Sequence, residues 1–159
     1  MPNHCYNKVF ASSNKPETLR TLFNIFNDDR IFPRILPEPD WANVPLTRSD
    51  LREYNYSDPI GKEGELPEFS DKIGMGLYFP STGHQDDRWY SWRLANWGTK
   101  WDAYDIQILT EQGDQDLEVA FNTAWSPPEG IVAALRIQYP DLSLSWFYDE
   151  PGCEIAGYL

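Results

Sequence analysis

Hydrophobic and polar residues alternate along three stretches of the C-terminal part of the chain. The first stretch runs from Tyr104 to Ile108, the second from Leu117 to Trp125 and the third from Leu142 to Tyr148. A period of two residues predicts a strand with one face buried and the other exposed. Residues 111–114 (EQGD) supply a turn, so the first two strands are predicted to form a hairpin.

Two other segments have the period of a helix. After a short strand predicted for residues 5–11, apolar residues at helical spacing from Leu19 to Phe26 predict an amphipathic helix. Residues 126–129 (SPPE) predict the capped start of a second helix, with Ser126 as the cap, and Pro140 ends it. A final short strand is predicted for residues 153–158.

The regular period is lost between Arg30 and Asn96. Seven prolines there interrupt any long helix. Isolated rings such as Tyr54 and Tyr56 are predicted to anchor the segment, and residues 73–79 (IGMGLYF) predict a strand or an extended arm. We therefore predict one domain over residues 1–159, in which residues 30–96 form an ordered insertion.

The order of elements outside the insertion is strand, helix, strand, strand, helix, strand, with one further strand at the end. This order predicts the α+β class and a ferredoxin-like, split βαβ arrangement, in which an antiparallel sheet carries two helices on one face. The last strand would extend or close that sheet.

Alternation also predicts what each face of the sheet carries. The face toward the helices is predicted to hold the rings of Phe121, Trp125, Trp146 and Tyr148. The open face is predicted to be polar apart from Phe147, with the side chains of Asp105, Gln107, Glu118, Asn122, Ser143 and Ser145. No basic groove accompanies it, so stacking on RNA bases is not predicted.

Four short segments resemble those of one protein family. They are residues 3–5 (NHC), 97–102 (WGTKWD), 123–128 (TAWSPP) and 148–152 (YDEPG). In sequence and order they are similar to the YubB-type, ferredoxin-like proteins carried by plasmids and phages. The resemblance covers residues 1–27 loosely and 96–157 well. It implies a ferredoxin-like fold without an iron-sulfur cluster and a mobile genetic element as the setting, and it implies no activity or catalytic residue.

The charge of the chain is unevenly distributed. The formal net charge is −12, and residues 101–159 hold one basic residue, Arg136, against 11 acidic residues, a net charge of −10. Such a surface repels nucleic acid, whose binding depends on Lys and Arg, and it favours a cationic partner. We therefore expect a basic protein surface as the partner and no direct contact with nucleic acid.

The sequence indicates neither a compartment other than the cytoplasm nor a bound cofactor. No stretch approaches the roughly 18 apolar residues of a membrane span, and no signal-peptide pattern is present, so we expect a cytoplasmic protein without membrane contact. Cys5 and Cys153 are expected to stay reduced. Neither a metal-ligand spacing nor a glycine-rich phosphate loop occurs, and we expect no metal and no cofactor.

One group of residues offers acid-base chemistry. His84 precedes Asp86 and Asp87, so an imidazole can lie beside a carboxylate. No nucleophile elbow or cysteine signature accompanies them, and a solvated loop explains the same residues. An enzyme with a site between the insertion and the sheet is therefore an alternative hypothesis.

The leading hypothesis is a non-enzymatic acidic binding protein of a mobile genetic element. In its specific form, the protein would inhibit a host nucleic-acid-binding defence or regulatory protein by occupying its basic surface. The proposed binding residues flank the hairpin and the last turn and are Trp97, Trp101, Asp102, Asp105, Glu118, Asp149 and Glu150. At least one of the two Trp rings is also expected to seal the sheet end. A self-associating module that uses the sheet edge, Trp89 or Trp92 is a further alternative.

Overall fold

The structure, a computed structural model, describes residues 3–52, 58–72 and 74–159. Its elements, in chain order, are β1 (His4–Ser13), α1 (Pro16–Phe26), α2 (Ile31–Ile35), a 3-10 helix (Trp41–Asn43), β2 (Glu68–Ser70), β3 (Gly76–Phe79), β4 (His84–Gln85), α3 (Arg88–Asn96), β5 (Tyr104–Ile108), β6 (Asp116–Ala124), α4 (Glu129–Gln138), β7 (Leu142–Glu150) and β8 (Ile155–Tyr158). Tyr54, Tyr56 and Ile73, which the sequence assigned to anchors and a strand, lie outside the described residues.

The chain divides into two compact units. The first is formed by Met1–Pro37 with Arg93–Leu159, and the second by Glu38–Trp92. The second unit is shorter at both ends than the predicted insertion. Helix α2 belongs to the first unit, and the boundary at the other end falls within α3.

The first unit has the predicted ferredoxin-like fold. Its five strands lie in the order β5-β6-β1-β7-β8, and every neighbouring pair is antiparallel. Strand β6 thus lies between β5 and β1, as the split βαβ arrangement requires. The predicted fold class is confirmed, and the extra strand β8 extends the sheet at one edge.

The helices cover one face of this sheet. Helix α1 packs on β1 and β6, α4 packs on β7, and α2 contacts both helices. Rings from three elements meet in the core, where Phe121 of β6 lies 5.8 Å from Phe26 and 5.5 Å from Trp146 between ring centroids. Both Phe121 and Trp146 are buried, as predicted. Trp125 is 46% exposed, contrary to prediction, because its φ of 71° ends the regular strand.

A buried polar side chain lies in the middle of β1. The Asn7 amide donates to Thr123 Oγ1 at 2.9 Å and to the Cys5 carbonyl at 3.0 Å, while its Oδ1 accepts the Trp146 indole N–H at 3.0 Å. All of its hydrogen-bonding groups are therefore satisfied, which makes burial of the amide tolerable.

The second unit contains a small sheet in the order β2-β3-β4 and a separate apolar cluster of Leu46, Ile60 and Phe79. Only β3 overlaps the strand predicted in this region. Helix α3 was not predicted. Its only buried residue is Arg88, so it presents no apolar stripe from which a helical period could be recognised.

Candidate functional site

The sheet face opposite the helices carries exposed aromatic side chains. On β1, Cys5, Val9 and Ala11 point toward the helices and are buried, so Tyr6 and Phe10 point the other way. Tyr6 is 41% exposed and Phe10 is 44% exposed. We call this surface of the first unit the open face.

The strand register extends the aromatic surface across β7 to β8. Lys8 lies opposite Phe147, and Phe147 lies opposite Tyr158. The rings of Phe147 and Tyr158 meet edge to face, 5.4 Å apart, and Tyr158 is 73% exposed. Because paired residues point to the same side of a sheet, these side chains share the open face with Tyr6 and Phe10.

Acidic residues surround these rings. Glu118 lies opposite Phe10, and Asp149 lies opposite Tyr6. Asp105 joins them through a hydrogen bond of 3.1 Å from the Asn122 amide. Lys8 contacts Glu118 at 2.6 Å, so this basic residue is already paired with a carboxylate. Three residues of the predicted binding set therefore lie on the open face: Asp105, Glu118 and Asp149.

The open face is thus less polar than predicted. The sequence pattern placed Phe147 there and missed Tyr6, Phe10 and Tyr158. In β1 the pattern was ambiguous, because the polar residue Asn7 lies on the buried face and the apolar residue Phe10 lies on the exposed face. Strict alternation from Cys5 to Ala11 was the signal that could have located the two rings.

Trp97 does not lie on an interaction surface. It is fully buried, its indole N–H donates to the Leu36 carbonyl at 2.9 Å, and its ring packs edge to face on Phe32. The Arg93 guanidinium lies 4.8 Å from the ring centroid. This correction to the binding set agrees with the expectation that one ring of the motif seals the core.

The two motifs around Trp97 and Ser126 contact each other. Ser126 does not cap α4; its hydroxyl donates to the Gly98 carbonyl at 2.5 Å, and the Gly130 amide donates to the Trp97 carbonyl at 3.2 Å. A Cβ on Gly98 would meet the Glu129 nitrogen at 2.9 Å. Residues 97–102 and 123–130 therefore form a structural junction at the start of α4.

Two more residues of the predicted binding set have structural contacts instead. Asp102 accepts the amides of Ile31 and Phe32 at 3.0 and 2.8 Å, which fixes the start of α2. Burial raises the pKa of its carboxyl group. Glu150 is buried, and hydrogen bonds from the thiol and amide of Cys153 lower its pKa. Because its carboxylate is buried, Glu150 cannot contact a partner directly.

Trp101 keeps an accessible ring. It is 39% exposed, and the Lys100 ammonium lies 4.4 Å from the ring centroid, a cation-π contact. The ring lies outside the strands of the sheet. Trp101 is therefore accessible, but it does not belong to the open face.

The acid-base candidates lie in the second unit. Asp86 is buried and binds Arg88 through two hydrogen bonds of 3.0 Å, and Arg88 also packs on the rings of Trp41 and Phe79. Asp87 pairs with Arg52 at 2.7 Å. The half-buried His84 donates its backbone amide to Thr82 Oγ1. Both carboxylates are thus paired with arginines, Asp86 in a buried pair and Asp87 in an exposed one.

Other kinds of site find no support in the described part of the chain. Among these residues, no group of three His, Cys, Asp or Glu side chains could hold a metal ion. No helix there has both the length and the apolar character needed to cross a membrane. Cys5 and Cys153 are free thiols, the first buried and the second exposed.

The similarity to known proteins covers less than half of the chain. The uncharacterised protein YubB of Escherichia coli (strain K12) is 33% identical over 70 residues, which cover 43% of this chain and 48% of YubB. The chain therefore spans about half the length of the curated relative it matches. No solved structure gives a significant match. Residues 96–159 match the profile of the family described as a ferredoxin-like domain in Api92-like protein, which agrees with the fold of the first unit.

Proposed function

We propose that this chain is a non-enzymatic binding protein whose open face docks on a basic surface of another protein. The observation that carries this proposal is the combination of exposed rings with surrounding carboxylates on one side of the sheet. Aromatic side chains supply most of the energy of protein interfaces, and complementary charge steers the encounter. The negative charge of residues 101–159 favours a cationic partner and opposes the phosphate backbone of nucleic acid.

The biological setting that we propose is a mobile genetic element, as the resemblance of the four short segments to YubB-type proteins implies. In that setting, the specific form of the proposal is inhibition of a host defence or regulatory protein that binds nucleic acid. Such a protein exposes a basic surface, and the acidic open face would occupy it in place of the phosphates. The site of action would then be the cytoplasm.

Neither alternative function has comparable support. An enzyme using His84 would need a carboxylate to orient the imidazole, and the two that the sequence indicated for this role, Asp86 and Asp87, pair with arginines. A self-associating module would use the sheet edge, Trp89 or Trp92. Both rings are half-buried, and pairing two copies through the β8 edge would bring like negative charges together.

The test is capture from a host lysate treated with nuclease, so that RNA cannot bridge two proteins. The bait is compared with a double variant of the open face, Tyr6→Ser with Phe10→Ser. The matched control is Ile137→Ser on α4, because Ile137 is 80% exposed on the helical layer. All three proteins should keep the same far-UV circular dichroism spectrum.

We expect one or a few basic proteins to be enriched by the wild type and by the Ile137→Ser control. Their capture should fall with rising salt and be lost in the double variant. If no basic protein is enriched at low or moderate salt, or if the double variant captures the same proteins, the open face is not a docking surface.

A further inference from the structure

The two edges of the five-stranded sheet differ in how they are protected. At one edge, β5 has an irregular register between Tyr104 and Gln107, and Asp105 there has a φ of 56°. Bulges and charged residues are the usual means by which proteins prevent a further strand from pairing. Strand β5 is therefore a blunted edge.

The opposite edge, β8, has neither form of protection. It pairs in regular register with β7, and its sequence, IAGY, contains no charge and no proline. Three of its four residues are exposed, and within the described part of the chain no further strand lies beyond it. A regular, uncharged, exposed edge is a template for strand addition.

The hydrogen-bonding groups that face outward can be assigned. The Leu159 amide donates to the Trp146 carbonyl across the β7–β8 pair. Backbone groups alternate in direction along an antiparallel strand, so Gly157 and Ile155 also face β7. The amides and carbonyls of Ala156 and Tyr158 then point away from the sheet, two residues apart, as an added strand requires.

Charge decides which occupant this edge favours. Residues 142–159 contain no Lys or Arg and three acidic residues, Asp149, Glu150 and Glu154, and an arginine at this edge, Arg136 of α4, already donates to the Leu159 carbonyl at 2.8 Å. A second copy would bring two such segments together, and their like charges repel. A strand with basic side chains would instead lay them on the open face beside the ring of Tyr158, with Asp149 on the same face. Cation-π contact with an exposed ring adds to that attraction.

We propose that β8 receives an extended basic segment of the partner protein as a sixth strand of the sheet, with Ala156 and Tyr158 as its backbone contacts. This inference rests on the proposed function, because it names how the basic partner would bind. It adds a main-chain contact that docking on the open face alone would not need.

The probe for the experiment is a synthetic peptide in which Arg alternates with Val, added to the full chain. Hydrogen exchange of the Ala156 and Tyr158 amides is followed by NMR, with the Gly113 amide of the β5–β6 turn as an internal reference. Control peptides replace Arg by Glu or carry N-methylated backbone amides. We expect the Arg-Val peptide to slow exchange at Ala156 and Tyr158 by about tenfold or more, and the controls to leave it unchanged.

The matched protein variant is Ala156→Pro. It removes one outward amide, and an edge strand tolerates proline where no ladder hydrogen bond is lost. Its melting temperature should stay near that of the wild type, while its affinity for the Arg-Val peptide falls about tenfold. Tyr158→Ala, which keeps the backbone, should weaken binding of the Arg-Val peptide and leave any binding of a neutral Thr-Val peptide unchanged.

Several outcomes would overturn the inference, and they separate it from the proposed function. If the peptide shifts Tyr6 and Phe10 resonances without protecting β8, the open face binds cations but the edge does not. If no cationic peptide binds anywhere, the proposed function fails as well. Exchange at Ala156 and Tyr158 could instead be slowed by the Glu-Val peptide, by a single-stranded RNA oligonucleotide, or by the protein alone at high concentration. In each of these cases the edge binds a different occupant, and the proposal of a basic segment is wrong.

Discussion

A single methyl group at Gly98 should destabilise the first unit, because two features of this position act together. Gly98 has a φ of 89°, where an Ala side chain is strained. A Cβ there would also lie 2.9 Å from the Glu129 nitrogen and 3.0 Å from the Pro127 carbonyl oxygen. Both neighbours are backbone atoms at the entry of α4, so they cannot move aside as a flexible side chain would.

The expected loss can be divided between strain and contact. Placing Ala at a positive φ costs about 1–2 kcal/mol, and forcing a methyl group into a packed site costs about 1–3 kcal/mol. Gly98→Ala should therefore lower the free energy of unfolding by about 2–5 kcal/mol. Gly113 provides the matched control, since its φ is 108° and no atom lies within 4 Å of its ideal Cβ. Gly113→Ala should cost about 1–2 kcal/mol only.

Native-state hydrogen exchange of the β6 amides is the suitable assay, because it reports the stability of the first unit directly. The unfolded-state effect of replacing Gly by Ala is common to both variants and cancels in their difference. If Gly98→Ala were no more destabilising than Gly113→Ala, the close approach of residue 98 to the start of α4 would not limit stability. The interpretation of residues 97–102 and 123–130 as a structural junction would then be wrong.

Three further changes test contacts described above. Asp86→Ala should destabilise the second unit by about 3–5 kcal/mol, since it leaves the Arg88 charge buried and unpaired; a double variant with Arg88→Leu should recover part of that loss in urea unfolding. Asp102→Ala leaves the amides that begin α2 without an acceptor and should cost about 1–3 kcal/mol, measured in the same way. Burial raises the pKa of Cys5 to about 11, above its usual value of 9.0, so stability should fall as pH rises from 9 toward 11. A Cys5→Ala variant should show a smaller alkaline decline than the wild type, and a thiol reagent should modify Cys153 but not Cys5 in the native protein.

The elements of the fold that could be predicted were those with an undisturbed period. Strands β5, β6 and β7 alternate clearly, and α1 carries an apolar stripe, so the ferredoxin-like order followed from the sequence. Ser126 shows why local signals alone mislead. Its sequence context predicts a helix cap, but a long-range hydrogen bond to Gly98 uses the same hydroxyl. A hydrogen bond between residues so far apart in sequence cannot be predicted from the local pattern.

The candidate site was harder to predict than the fold, because exposure cannot be deduced from residue type. Trp97 and Glu150 were predicted to bind a partner and are buried, while Tyr6 and Tyr158 received no role and are exposed. The side chain of Asn7 explains part of the error. Its burial inside β1 depends on Trp146 and Thr123, which lie far away in sequence, so the polarity of Asn7 pointed to the wrong face and only the alternation along β1 could have identified the open one.

The similarity to other proteins concerns the fold in one way and the candidate site in another. The segments that resemble YubB-type proteins include WGTKWD and TAWSPP, and in this chain both belong to the junction that positions α4. Residues selected for such a junction identify a fold and carry no information about a ligand. The matched range, 96–159, contains strand β8 but not β1, which supplies Tyr6 and Phe10 to the open face. A relative matched over this range shares the β8 edge, whereas the β1 part of the open face lies outside the range. Partner choice should then depend most on β1, which lies outside the matched range and is the strand that the variants Tyr6→Ser and Phe10→Ser change.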